Sequence, residues 1–187
     1  RPYLAELMEA SGETANLAML EDGQVAYVAQ VASRHHRVRM FTEVGRRVHP
    51  HTSGVGKVVL AFRPRVEVEA LLARTGLPKR TPRTITDPAR FLAELDKVAG
   101  QGYATDSGEE EVGVRCLAVP VFGVGGSVAA MSVSAPEGRL QDRDIERVLP
   151  EMLRISAALS AAFFTAASAP PARSRVDGGQ RPPYAPK

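Results

Sequence analysis

The chain of 187 residues reads as an α+β domain with one central antiparallel sheet of about six strands and helices packed on both faces. Three observations predict this. Two pairs of apolar runs are joined by turn residues, Asp22-Gly23 and Gly123-Val124-Gly125-Gly126, and hairpins force antiparallel pairing. The run Val114–Phe122 is apolar at most positions, so both of its faces need cover. Helical patterns stand before, between and after the hairpins and can supply that cover.

The first helix is predicted over residues 3–10, where Leu4, Leu7 and Met8 share a face; Ser11-Gly12 ends it. Strands follow at Thr14–Glu21 and Gln24–Val31, and a shorter one at Arg37–Phe41. Thr42–Ser53 contains Gly45 and Pro50 and has no period, so a loop is expected. Two short helices come next, at Gly54–Phe62 and Val66–Arg74. Residues 75–87 are a connector rich in Pro and Thr. Asp87 fits an N-cap and Pro88 the first helical position of a helix with Phe91, Leu92, Leu95 and Val98 on its apolar face, closed by Gly100 and Gly102. Strands are expected near Tyr103–Thr105, at Val114–Phe122 and at Ser127–Ala135. A long helix, Asp142–Phe164, completes the fold, with a kink or break at Pro150.

Composition narrows the function classes. All of the formal charge of +3 resides in residues 169–187, where Arg173, Arg175, Arg181 and Lys187 face one acid, Asp177. Residues 1–168 are neutral overall and have no electrostatic footprint for nucleic acid. The last 19 residues are rich in Pro and Gly and poor in aliphatics, and are expected to form a disordered basic tail. One cysteine makes no internal disulfide, and no apolar run is long enough to span a bilayer. A cytoplasmic location is expected.

The chemistry concentrates in residues 102–116. They set Asp106 and the sole cysteine, Cys116, at the two ends of an acidic turn. The next strand carries Ser132 and Ser134 in alternation, hence on one face with Val128 and Ala130. Hydroxyls in a dry layer need partners; they bond to nearby backbone or water, or they line a hole that a ligand fills. Small Ala130 and Ala135 favour space. The segment His51-Thr52-Ser53-Gly54-Val55-Gly56-Lys57 marks a helix start whose first amides point outward. Gly54, Val55 and Gly56 could leave them open to an anion, or could pack against the sheet as an ordinary cap. A phosphate-binding loop would need glycine at 51 and a hydroxyl residue at 58; the chain has His51 and Val58.

Blander alternatives stand beside each feature. Asp106 could cap its turn, and Glu109, Glu110 and Glu111 could form a solvated face. Buried cysteines are usually inert, and a nucleophilic Cys116 would need His49 or His51 beside it. Asp106, Cys116 and a histidine could bind a metal, but no tight ligand spacing supports it. No catalytic residue, cofactor or metal is expected.

Several fragments together resemble the C-terminal effector-binding domain of IclR-type transcriptional regulators. They are Glu13–Ala18, Asp22–Val28, His51–Lys57, Leu60-Ala61, Gly102-Tyr103-Ala104, Asp106, Glu109-Glu110, Gly113–Val121, Ser132–Pro136 and Arg139, in order from about residue 1 to 166. The resemblance implies a GAF-like, non-enzymatic domain over residues 1–168 that binds a small metabolite, often a carboxylate, and assembles as a homodimer or tetramer. It implies an effector held among Gly54, Val55, Gly56, Asp106, Cys116, Ser132 and Ser134. In that family a winged helix-turn-helix precedes the domain and reads DNA; residues 1–187 are expected to lack it, so DNA is expected as a partner only through such a part, and a membrane not at all. The alternatives are an assembly domain with a vestigial pocket and a cysteine-dependent enzyme.

Overall fold

The computed structural model describes residues 1–38, 40, 43–126 and 128–168, with side chains through Phe163. Helix α1 (Pro2–Ser11) opens the chain and ends at Gly12 with φ 76°, a left-handed cap that glycine adopts without strain. Strands β1 (Thr14–Glu21) and β2 (Gln24–Val31) form the expected hairpin. Asp22 and Gly23 both take positive φ, 50° and 82°, as a tight primed turn requires.

The third strand lies elsewhere than expected. β3 is Arg47–Val48 and pairs with Ala26 and Val25 of β2, inside the stretch read as loop. Arg37, Val38 and Met40 are in no strand, and positions 39 and 41 fall outside the described residues. Alternation over so few residues is a weak signal, and here the pairing partner decides.

Helices α2 (Gly54–Ala61), α3 (Arg65–Thr75) and α4 (Pro88–Gln101) follow. Asp87 Oδ1 accepts the Arg90 amide at 2.7 Å, as the cap signal predicts. Gly102 is the left-handed C-cap of α4, whereas Gly100 lies within the helix. Strands β4 (Ala104–Ser107), β5 (Val114–Phe122) and β6 (Val128–Pro136) complete one antiparallel sheet, ordered β3-β2-β1-β6-β5-β4. Helix α5 (Asp142–Ser168) runs through Pro150 without a break. The expected tail, residues 169–187, lies outside the described residues.

Side chains of β5 and β6 alternate between two layers. Leu117, Val119, Val121, Met131 and Val133 pack under α1 and α5 with Leu7, Met8, Met152 and Ile155. The other face carries Ala18, Ala118 and Ala130 beneath Val55, Val58 and Val59 of α2. The alanines have a structural purpose: they let α2 lie close to the sheet, so Ala130 is packed rather than spare room. Ala135 belongs to the opposite layer, under α1 and α5. Outside α2, Phe91 and Leu95 of α4 and Leu71 and Leu72 of α3 form a third apolar layer with Leu60. Each fully buried side chain of this kind contributes about 2 kcal/mol.

Candidate functional site

Sheet register gathers the chemistry. Asp106 pairs with Cys116, Cys116 with Ser134, and Ser134 with Thr14. An acid, a thiol and two hydroxyls thus form one row across four strands, on the face that carries α2. The neighbouring row is Ala104, Ala118, Ser132 and Asn16, and ends at Gln30.

A bulge in β2 extends the site. Leu17 pairs with Ala29 and Ala18 with Tyr27, so Val28 is extra and the alternation flips. Tyr27 and Gln30, an odd number of positions apart, therefore share the face of the row. Tyr27, Met40, Arg46, Val48, Ser53 and Glu110 join Asp106, Cys116 and Ser134 around a cavity of about 40 Å³. At ~10–15 Å³ per water, this is room for roughly three waters or a few heavy atoms.

Of the seven expected residues, Asp106, Cys116 and Ser134 line this cavity and four do not. Ser132 sits in the next row, buried, its hydroxyl without a hydrogen-bond partner among the described residues. Gly54 lies over that row, where an added Cβ would touch Ala118 at 3.4 Å. Val55 is in the apolar layer. The Gly56 amide donates to Ser53 Oγ at 3.2 Å, so the helix supplies its own cap there. Ser53, which carries that cap, is the residue of this segment that reaches the cavity wall.

Ser134 is the centre of a polar chain. Gln30 Nε2 donates to Asn16 Oδ1 (3.2 Å), Asn16 Nδ2 donates to Ser134 Oγ (3.3 Å), and Cys116 Sγ donates to the same oxygen (3.2 Å). The Ser134 oxygen is thereby filled as an acceptor, and its own O–H is left to donate into the cavity. Asp106 is buried; its Oδ1 accepts the Glu109 amide at 2.7 Å. Burial pushes its carboxyl up to about 7, against the Glu109 hydrogen bond. Burial likewise raises the Tyr27 phenol above its usual range.

The acidic turn is not a solvated face. Glu109 is buried against Lys57 Nζ at 2.6 Å, and Lys57 is itself 1% exposed, donating also to Thr105 O at 3.0 Å. Glu110 Oε2 accepts from Thr52 Oγ1 at 2.6 Å, and the Thr81 and Thr84 hydroxyls hold the Gly108 and Glu109 carbonyls. Only Glu111 of the three is exposed. No local pattern signals this, because the partners lie 25 to 58 positions away.

Enzymatic readings of Cys116 lose their geometry. Among the described residues no histidine lines the cavity; His51 is engaged with Pro78 O at 3.0 Å and edge-on to Phe91. Burial, with Asp106 beside it, pushes the Cys116 thiol up to about 12, the reverse of what a nucleophile needs. Native protein at neutral pH is expected to resist iodoacetamide, with alkylation only after unfolding; rapid labelling of the folded chain, read by mass spectrometry, would reopen the enzyme reading. Among the described residues no group of His, Cys, Asp and Glu could hold a metal ion, and no helix is long and apolar enough to cross a membrane.

A six-stranded antiparallel sheet, helices on both faces and a polar row under a helix start define an α+β domain with one buried polar site. The chain belongs to the IclR family: residues 1–161 match the family described as "Bacterial transcriptional regulator IclR C-terminal". It is 37% identical over 161 residues to the HTH-type transcriptional regulator BhcR of Paracoccus denitrificans, covering 86% of this chain and 57% of that protein. The chain spans little more than half the length of such relatives. Its fold is similar to the C-terminal domain of the Escherichia coli transcriptional regulator KdgR, with TM-score 0.77, 32% identity and coverage of 87% and 94% of the two chains. It is also similar to the inducer-binding domain of PobR from Acinetobacter, solved as a double mutant with 3-hydroxybenzoic acid, with TM-score 0.78, 29% identity and coverage of 85% and 94%.

Proposed function

We propose that this domain senses a small organic acid in the cavity over the Asp106–Cys116–Ser134 row. A cytoplasmic regulator would use it by self-association, with DNA read by a winged helix-turn-helix belonging to the same protein. The observation that carries this reading is Ser134: its oxygen accepts from two donors and the residue lines the cavity, which leaves its own O–H free to donate there. A hydroxyl so arranged is complementary to an acceptor on a guest. The inducer complex of the similar PobR domain supports an acid as that guest.

In this reading Ser134 donates to the ligand and Asp106 orients it. Cys116 shapes the floor, and the first amides of α2, at Gly54 and Val55, favour the anionic end through the helix dipole. Gly56 drops out as a donor, since Ser53 holds its amide. Ser132, in the next row beneath the start of α2, stays covered and supports the site from behind. Arg46 replaces Gly56 as a partner for negative charge. It lines the cavity mouth and, among the described residues, has no ion pair, whereas Arg47, Arg80, Arg83, Arg115 and Arg139 are each committed to a carboxylate. Without rearrangement the cavity's size suits the smallest acids, of roughly two or three carbons. Binding would bias the packing of subunits against one another, which transmits the signal.

Thermal-shift screening with acetate, pyruvate, lactate and 3-hydroxybenzoate tests the reading. At least one is expected to raise the melting temperature, and Ser134→Ala to weaken that acid about tenfold, the worth of one hydrogen bond to a charged group. No stabilisation by any of them, with normal self-association, would instead favour an assembly domain with a vestigial pocket.

A further inference from the structure

We infer that the cavity takes its acid together with a proton, held on Asp106, so that the site recognises a carboxylate anion plus one hydrogen ion. The inference rests on the acid-sensing reading above and goes beyond it.

Three walls of the cavity carry carboxyl groups, Asp106, Glu110 and Glu111, against one guanidinium, Arg46. That is a poor charge balance for an anion. Glu110 is engaged by Thr52 and faces Arg80 at 3.6 Å, and Glu111 is exposed to solvent. Asp106 has neither relief. It is 2% exposed and makes no ion pair among the described residues. The one buried ammonium near it, on Lys57, is already held by Glu109 at 2.6 Å and by Glu94 at 3.5 Å. The other groups facing Asp106 do not hold its charge: Tyr27 from β2 and Cys116 from β5 are weak acids, Glu109 and Glu110 of the turn are like charges, and Arg46 stands at the exposed mouth.

A carboxylate guest placed against Asp106 would add one more negative charge at contact distance. Two carboxylates sharing one site cannot both stay ionised, and one retains a proton. Asp106 is the group suited to keep it. Its Oδ1 is committed to accepting the Glu109 amide, so the proton sits on Oδ2 and converts that oxygen from a repelling acceptor into a donor. With the Ser134 hydroxyl, the Tyr27 phenol and the Arg46 guanidinium, the cavity then presents four donors to set against Glu110 and Glu111. Burial, which raises the Asp106 carboxyl to about 7 in the empty site, already favours this form, and a bound anion would raise it further.

The binding step balances as anion plus proton. Affinity for an acid ionised throughout is therefore expected to be level below about pH 6 and to fall toward tenfold per unit above roughly pH 7. The test is calorimetry with acetate and pyruvate, run between roughly pH 5.5 and 8.5 in two buffers of different ionisation enthalpy. Wild-type protein near pH 8 should take up close to one proton per acid bound. Asp106→Asn, a neutral isostere that keeps the acceptor for Glu109, should bind the same acid with no proton uptake and with a flat pH profile. Tight, pH-independent binding by wild type without proton uptake would overturn the inference while leaving the acid-sensing site intact. Failure of wild type to bind either acid at any of these pH values would overturn both. The wild-type proton count stands whether or not the variant folds.

Discussion

Replacing Lys57 with methionine is expected to cost the domain about 3–5 kcal/mol, the usual penalty for removing one partner of a buried ion pair. The Lys57 ammonium is at once the ion partner of Glu109, a donor to Thr105 O and a neighbour of Glu94. Glu109 has no spare compensation, since its Oε2 is buried and makes no hydrogen bond among the described residues. Methionine fills the space of the lysine stem but leaves that carboxylate stranded. Burial already biases Glu109 toward its neutral form and Lys57 opposes this, so the variant should also become more acid-tolerant relative to wild type: a carboxyl that folds protonated contributes stability at low pH and loses it as pH rises. Urea unfolding monitored by circular dichroism gives the midpoint. Adding Glu109→Gln to Lys57→Met should recover a large part of the loss, because two neutral groups no longer strand a charge. A loss below about 1 kcal/mol would show that Glu109 reaches water when its partner is removed. Because the Glu109 amide also caps Asp106, the single variant should weaken acid binding as well as stability.

Which features were legible in the sequence follows from the range of the forces involved. Asp22-Gly23, the Asp87-Pro88 cap and the apolar run Val114–Phe122 act within a few residues, and each stands where the pattern put it. β3 did not, because a two-residue strand is made by the β2 edge it meets and not by its own preference. At the site, Asp106, Cys116 and Ser134 were recognisable as chemistry without a structural purpose, and alternation placed Ser132 and Ser134 on one face. Their division into a cavity-lining residue and a covered one depends on where α2 touches the sheet, a contact between Gly54 and Ala118 that no local pattern encodes. Tyr27 was hidden for a different reason: a single-residue bulge reverses the face of half a strand, and its only trace in the sequence is an alternation that was never strict. Arg46 carries no signal at all; it matters because every other nearby arginine is paired.

The same logic makes Gly56→Ala a sharp test of how α2 is seated. In most helices alanine for glycine is favourable by about 1 kcal/mol. Here a Cβ on residue 56 would clash with Pro50 O, its Cα and its carbonyl carbon, closer than any real Cβ contact. All three are backbone atoms of the 3-10 turn Pro50–Thr52, held by a proline ring, so no side-chain rotation relieves the clash. The start of α2 must move instead, breaking the Ser53–Gly56 cap, worth about 1 kcal/mol, and loosening the Val55 and Val58 contacts with the sheet. Together these outweigh the gain in helix propensity, and a net loss of about 3 kcal/mol is expected, at the upper end for overpacking. Gly100→Ala in α4 is the matched control, since an added Cβ there meets nothing within 4 Å; it should stabilise by about 0.5–1 kcal/mol. Denaturant unfolding of the two variants should therefore give opposite signs. If Gly56→Ala were neutral, the helix start would be free to slide over the alanines beneath it, and the cavity wall at Ser53 would be adjustable. A loss confirms a fixed wall, in which case ligands are selected by size at that end as well as by charge at Asp106.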